Sequence, residues 1–187
     1  EVLAKSGPEL ISLAKQNGVC LLFEASVGGG IPIVGCLMNQ LLANDIQSVH
    51  GIINGTTNYI LTRMAQAHTS FPQALQEAQE LGYAEADPTN DIEGIDAVYK
   101  LSILAALSFH QRVAPEAIFR QGISSLEAKD FLYAQELGYA IKPLAIATLN
   151  GGTVQARVHP ALVPLGHMLA KVDGVYNAVE VTGSLCG

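Results

Sequence analysis

Gly82-Tyr83-Ala84-Glu85-Ala86-Asp87-Pro88-Thr89-Asn90-Asp91-Ile92-Glu93-Gly94-Ile95-Asp96-Ala97-Val98-Tyr99-Lys100 leads from a carboxylate-dense loop into a helix expected from about Ile92 to Phe109. The second half of that helix is apolar nearly all round, which places it inside a core rather than on a surface. Strand-like runs flank it in sequence: Ile46 to Ile53 before it, then Ile141 to Leu149, Thr153 to His159 and Val175 to Val181 after it. A buried helix among such strands predicts an α+β fold, a mixed β-sheet with packed helices. Asn150-Gly151-Gly152 joins two of the runs as a hairpin.

The same stretch carries candidate chemistry. Glu85, Asp87, Asp91, Glu93 and Asp96 precede a lone lysine, and Asp96 and Lys100 are four residues apart, so they share a helix face. Such a group suits a small polar substrate with a positive charge and a transferable proton. Acids are equally at home at a helix N-terminus, where the dipole favours them. Lys100 is the candidate for proton transfer. Burial disfavours its ammonium form and Asp96 favours it. A charged Lys100 suits donation to an oxygen that gains negative charge. A base role needs a second cation or bound substrate.

Working outward, the 187 residues are 49% hydrophobic and 14% charged, enough for one domain with a substantial core. A net charge of −7 argues against nucleic acid or an anionic membrane as partner. No run of 18 apolar residues reads as a membrane span. Cys20, Cys36 and Cys186 show no Cys-x-x-Cys spacing, so each reads as a small buried hydrophobe in a reduced, intracellular protein. The five histidines have no zinc-ligand spacing. The chain opens on Glu1-Val2-Leu3 with neither Met nor a signal-peptide pattern, as a piece cut from a longer cytoplasmic protein would.

Ser6-Gly7-Pro8-Glu9 has capping-box spacing ahead of a helix that Gly18 stops, and Val19 to Phe23 reads as a strand buried on both faces. Helix, glycine and buried strand in that order are typical of the last unit of an α/β domain. Gly28-Gly29-Gly30 lacks the Gly-x-Gly-x-x-Gly spacing of a dinucleotide fingerprint, and Pro32 follows too closely. Three readings of it stay open: a backbone phosphate contact, a ring of carbonyls around a small cation with Glu24 supplying charge, or a domain hinge. Proline at position 32 suits the first turn of a helix presenting Val34, Leu37, Met38 and Leu41. Asn54-Gly55-Thr56-Thr57-Asn58 turns into a helix capped by Thr56 or Thr57, either an anion site or an ordinary cap. Ser70-Phe71-Pro72-Gln73 is a second capping box. Further helices are expected near Pro115 and from Leu126 to Leu137. Ala-Gln-Glu-Leu-Gly-Tyr-Ala occurs at Ala78–Ala84 and again at Ala134–Ala140, which reads as one way of ending a helix used twice.

Taken together, Phe23-Glu24-Ala25-Ser26-Val27-Gly28-Gly29-Gly30-Ile31-Pro32-Ile33, Asn54-Gly55-Thr56-Thr57-Asn58-Tyr59-Ile60-Leu61 and Gly82-Tyr83-Ala84-Glu85-Ala86-Asp87-Pro88 with Asp91, Gly94, Asp96 and Lys100 closely resemble homoserine dehydrogenase. The resemblance covers essentially the whole chain. It implies oxidation of L-homoserine to L-aspartate 4-semialdehyde with NAD or NADP, or the reverse reduction in threonine, methionine and isoleucine biosynthesis. By that resemblance Lys100 is the catalytic proton donor or acceptor, and Asp96 orients the reacting end. Glu85 holds the substrate ammonium, with Asp91 and Tyr83 shaping the pocket. Gly55 and Thr56 meet the cofactor or substrate side, read here as cofactor-binding. Glu24 and the carbonyls of Val27, Gly29 and Ile31 match the family's monovalent-cation site, usually sodium. The family is usually a homodimer, with the strands from Ile141 onward as a plausible interface, and cytoplasmic, or plastid in plants.

The resemblance also divides the chain: residues 1–25 would be the last helix and strand of a Rossmann-type domain, and 26–187 the catalytic and dimerisation domain, truncated at its C-terminus. Lys5 does not match the family's second active-site lysine, and Pro143 stands where the family has an apolar strand residue, predicting an edge strand or bulge. The chain alone is expected to be inactive. The alternative is a non-enzymatic amino-acid-binding or dimerisation module of the same ancestry.

Overall fold

The computed structural model describes residues 1–185, so Cys186 lies outside the described residues. The chain runs α1 (Val2–Gln16), a 3-10 turn (Glu24–Ser26), α2 (Ile33–Gly35) continuing into a π-type turn (Cys36–Gln40), β1 (Ile46–Ile52), α3 (Gly55–Ala67), α4 (Phe71–Glu80), α5 (Thr89–Ile92), α6 (Ile95–Phe109), β2 (Phe119–Arg120), α7 (Ala128–Glu136), β3 (Tyr139–Asn150), β4 (Thr153–Pro164) and β5 (Ala178–Gly183). The strands form one sheet in the order β2-β4-β3-β1-β5. All neighbours are antiparallel except β2 and β4. This is the expected α+β fold with a mixed sheet.

α6 is the central helix. Its Leu101, Leu104 and Ala105 are fully buried and pack with Val49, Ala145, Ala147 and Val158 from one face of the sheet. Each such leucine contributes about 1.5–3 kcal/mol by leaving water. A second core forms where Ile60, Leu61 and Met64 of α3 meet Ala74 and Ala78 of α4 and Phe131 of α7. On the opposite face of the sheet Ile52, Leu144, Ile146 and Val163 gather under a 3-10 turn, Met168–Lys171, through Leu169 and Ala170.

Local signals end the elements much as expected. Ser70 and Gln73 close a capping box on α4, with the Ser70 amide donating to Gln73 Oε1 at 3.2 Å. Both copies of the repeated heptapeptide stop a helix, with Gly82 at φ +76° and Gly138 at φ +83°. One copy then feeds a loop and the other feeds β3. The β3–β4 hairpin extends beyond its expected length, pairing Tyr139 with Pro164 at the far end.

Several expectations are corrected. α1 starts at Val2, with Pro8 inside it rather than in a cap. The Glu1–Lys5 ion pair at 2.7 Å and the packing of Ala4 against the α6 core carry the helix past the bond that proline removes. Val19 to Phe23 is not a strand: Val19 is 60% and Leu22 90% exposed. A strand needs a neighbour to take its amides and carbonyls, and among the described residues none runs beside this segment. Cys20, on the same run, is exposed instead of buried, and Cys36 is only half-buried. The helix expected from Ile92 is broken by Gly94 at φ +76° into α5 and α6. Pro115 opens only a 3-10 turn, Pro115–Ala117. β5 starts at Ala178, so Val175 stays in the loop before it. Pro143 lies in central β3, but in the part that extends past β1, where only β4 pairs with it and Pro160 stands opposite. That part is locally an edge, which is where a residue without an N–H is tolerated.

Candidate active site

The site is built where β1 hands over to α3 and where α6 begins. After β1 the chain passes Ile53 to Asn54, whose side chain caps α3 by accepting from the Thr57 amide at 2.9 Å. Neither Thr56 nor Thr57 is the cap. With its Oδ1 so engaged, Asn54 has both amide hydrogens free for the other side, and they go to Asp91 Oδ1 at 2.7 Å and Asp96 Oδ2 at 2.9 Å. Asn54 is only 7% exposed, so this junction is nearly dry. Gly94 in the left-handed conformation turns α5 into α6, which brings Asp91 and Asp96 to the same amide.

Lys100, one turn into α6, reaches back to Asp96 Oδ2 at 2.7 Å and donates to the Ile53 carbonyl at 3.1 Å. Its ammonium therefore shares one carboxylate oxygen with Asn54 and keeps a third hydrogen for another acceptor. Both side chains of the pair are about a quarter to a third exposed, at 26% and 32%. Two carboxylates against one ammonium leave the group with one net negative charge, which favours a cationic ligand.

These residues line an open cleft of about 410 Å³ together with Gly55, Thr56, Gly82, Tyr83 and Val175. Thr56 Oγ1 donates to the Tyr83 carbonyl at 2.7 Å, tying the start of α3 to the loop after α4, and the Tyr83 ring lies 4.9 Å from that of Tyr59. Gly55 admits no side chain: a Cβ there would stand 2.7 Å from the Val175 carbonyl oxygen. Glu85 is exposed two residues past Tyr83 and does not line the cleft. The remaining acids of the loop have other work. Asp87 accepts from the Thr89 amide and hydroxyl at 3.1 and 2.6 Å, and these bonds hold its carboxyl below the ordinary range. Glu93 accepts from the Ser124 hydroxyl on its carboxylate at 3.4 Å and from Arg120 on its backbone carbonyl at 2.8 Å.

The sequence expectation thus brings together Asp96, Lys100, Asp91, Tyr83, Gly55 and Thr56. It missed Asn54 as the hub and Val175 as a wall. The signal for Asn54 was present: asparagine directly before a helix is a preferred cap, and its amide hydrogens must then find acceptors. Val175 had no local signal.

The Glu24 group lies elsewhere. Its carboxylate accepts from the amides of Val34 at 2.8 Å and Gly35 at 2.9 Å, across a loop in which Gly28 and Gly29 take φ of +74° and +60°. Val27 is fully buried there, and the Ile31 amide donates to the Gly28 carbonyl at 3.1 Å. The Ile31 carbonyl accepts from the Ile33 amide at 2.8 Å, and oxygen donors of this kind, a carboxylate and backbone carbonyls, are those a hard cation takes.

The family model described as homoserine dehydrogenase matches residues 32–187. The homoserine dehydrogenase of Synechocystis sp. is 52% identical over the whole chain, which spans 44% of that protein, and that of Bacillus subtilis is 43% identical, with 43% of its length spanned. The crystal structure of a homoserine dehydrogenase from Thiobacillus denitrificans superposes with a TM-score of 0.97 at 49% identity, over 100% of this chain and 43% of that one. A hyperthermophilic archaeal homoserine dehydrogenase mutant in complex with NADPH superposes with a TM-score of 0.82 at 32% identity, over 99% of this chain and 53% of that one. The chain thus spans less than half the length of the curated relatives it matches, and within that span it belongs to the homoserine dehydrogenase family.

Proposed function

We propose that the chain is the substrate-binding part of an enzyme that oxidises L-homoserine to L-aspartate 4-semialdehyde with NAD or NADP, and runs the reduction in threonine, methionine and isoleucine biosynthesis. The observation that carries this reading is the Lys100–Asp96 pair, 2.7 Å apart on the wall of an open acidic cleft. In the reductive direction Lys100 donates a proton to the aldehyde oxygen as that oxygen gains charge, and in the oxidative direction the uncharged amine takes the hydroxyl proton. Asp96 orients Lys100, and Asn54 keeps Asp96 and Asp91 from repelling each other. Glu85 holds the substrate ammonium, with Asp91 and Tyr83 shaping the cleft.

A bound nicotinamide would supply the hydride acceptor. Gly55 and Thr56, at the start of α3 beside Lys100, are the residues here that would face it, in keeping with the NADPH complex of the archaeal relative. A monovalent cation, sodium by preference, would sit on Glu24 and the carbonyls of Val27, Gly29 and Ile31. It would brace the loop between residues 1–25, the end of a dinucleotide-binding domain, and residues 26–187. The protein would work as a cytoplasmic homodimer joined through β3 and β4, and the chain alone would be inactive. Among the described residues no helix is long and apolar enough to cross a membrane.

The test is homoserine-dependent reduction of NADP and NAD by the intact protein, with and without sodium. Lys100→Ala should cost about 10²- to 10⁴-fold in turnover, the range of a general acid–base group, with cofactor affinity kept. A folded, cofactor-binding protein with no such activity would instead favour a non-enzymatic amino-acid-binding module.

A further inference from the structure

One wall of the cleft comes from a turn, Val172 to Tyr176, that belongs to no helix or strand. It presents Val175 to the cleft and presses that residue's carbonyl against Gly55. Val172 packs on the apolar cluster beside the Met168–Lys171 turn, and the polar anchoring comes from β3 and α3. Lys142 on β3 donates to the Val172 carbonyl at 2.8 Å and to Asp173 Oδ1 at 2.6 Å. Asn58 on α3 donates to the carbonyls of Val172 at 3.1 Å and Tyr176 at 3.2 Å. Thr62, one turn further along α3, accepts from the Gly174 amide at 3.0 Å while donating to the Asn58 carbonyl at 2.7 Å.

Two physical features separate this from ordinary loop packing. First, Lys142, Asn58 and Thr62 are 4%, 0% and 7% exposed, and they make up three of the buried polar side chains among the described residues. Burying a lysine is costly unless its hydrogens are taken up, and here they are spent on this one turn. Second, the anchors Thr62 and Lys142 stand at the edge of an open groove. That groove, of about 440 Å³, runs between α3, α7 and β3 and takes in Asp173 from the turn, while Val175 lines the cleft of about 410 Å³. The apolar contact falls at Val172, while Asp173, Gly174 and Tyr176 are held by the polar anchors.

We infer that Lys142, Asn58 and Thr62 are positioning residues, which hold the Val172–Tyr176 turn in place and so set the width of the cleft that receives the substrate. They touch neither the cleft nor the reacting atoms. The inference rests on the reading of the cleft as the homoserine site. It assigns the anchors to substrate fit rather than to proton transfer.

The experiment measures KM for homoserine, kcat and KM for NADP in the intact enzyme for Lys142→Met, Thr62→Val and, as a control, Ser102→Ala. The control deletes a buried 2.6 Å bond from α6 to the Val113 carbonyl, away from the turn. Lys142→Met should raise KM for homoserine about tenfold, equal to losing one good charged hydrogen bond, and Thr62→Val about threefold. For both, kcat and KM for NADP should stay within about twofold, since the loss falls on ground-state binding. Ser102→Ala should lose stability with no change in KM. Amide hydrogen exchange across 172–177 should speed up in both turn variants. Unchanged KM in folded Thr62→Val, whether or not Lys142→Met folds, overturns the inference, as does unchanged exchange. If wild-type enzyme shows no homoserine-dependent turnover, the site reading falls separately, and exchange still decides whether the anchors hold the turn.

Discussion

At the scale of single residues, Asn54 does three things with one amide group. Its oxygen caps α3, and its two hydrogens join Asp91 and Asp96. Aspartate at this position would keep the cap but turn two attractions into two repulsions, while serine would keep the cap and remove the donors only. Asn54→Asp should therefore lose about 2–4 kcal/mol of unfolding free energy, well beyond Asn54→Ser, because a partly buried charge is left without a partner. Urea unfolding of the two variants checks this; equal stabilities would mean that the two carboxylates do not depend on Asn54. Glu85 offers a separate test, because it stands exposed outside the cleft. If it holds the substrate ammonium, Glu85→Gln should raise KM for homoserine about tenfold with kcat little changed, and an unchanged KM would remove it from the clamp.

At the scale of elements, the junction of α5 and α6 turns on Gly94. At φ +76° an L side chain is strained, and a Cβ would meet Val158 Cγ1 at 3.3 Å. Gly94→Ala should cost about 1–2 kcal/mol from the left-handed backbone alone, read as a lower thermal midpoint. It should also lower turnover, because the strain is relieved by moving Asp96 away from Asn54. A variant with wild-type midpoint and turnover would show that the junction does not set the site. This break was invisible in the sequence for a physical reason: Ile92, Glu93 and Ile95 continue an apolar helix pattern, and one glycine inside a helix is tolerated. What was legible was whatever the chain decides locally. The capping box at Ser70 and Gln73, the two Leu-Gly helix ends and the Asn150–Gly152 hairpin all appear where expected. Asp96 and Lys100 likewise meet because their helical spacing alone makes them neighbours. Val19 to Phe23 failed because a strand is a property of its neighbours. Val175 was missed because its place in the cleft is set by Lys142, Asn58 and Thr62, far away in sequence.

At the scale of the whole molecule, the sheet has two unlike faces. One carries the main core against α6, and the other, among the described residues, packs under the Met168–Lys171 turn at one end. On that second face a row crosses four strands through Glu180, His50, Ile146 and Arg157, in register. His50 Nδ1 lies 3.8 Å from Glu180 Oε2, and His167 Nε2, from the loop after β4, lies 3.5 Å from the same oxygen. Burial pushes the His50 imidazole below its ordinary value; Glu180 pulls it up, while Arg157 and His167 push it down again. The unfolded chain therefore takes up a proton at His50 near pH 6.5, before the folded protein does, and stability rises with pH across that gap. The contribution is complete above about pH 6.5 and is lost as pH falls through the lower, folded value. Glu77, held low by hydrogen bonds from Arg63 and Tyr59, and Asp87 act in the same direction but in the carboxylate range, so the histidine window stands apart from theirs. Urea midpoints measured from pH 8 to 5 should be level at the alkaline end and decline from about pH 6.5 downward, and His50→Gln should flatten the decline. The same decline in His50→Gln would assign it to another group and leave the row on the second face of the sheet without a role in acid stability.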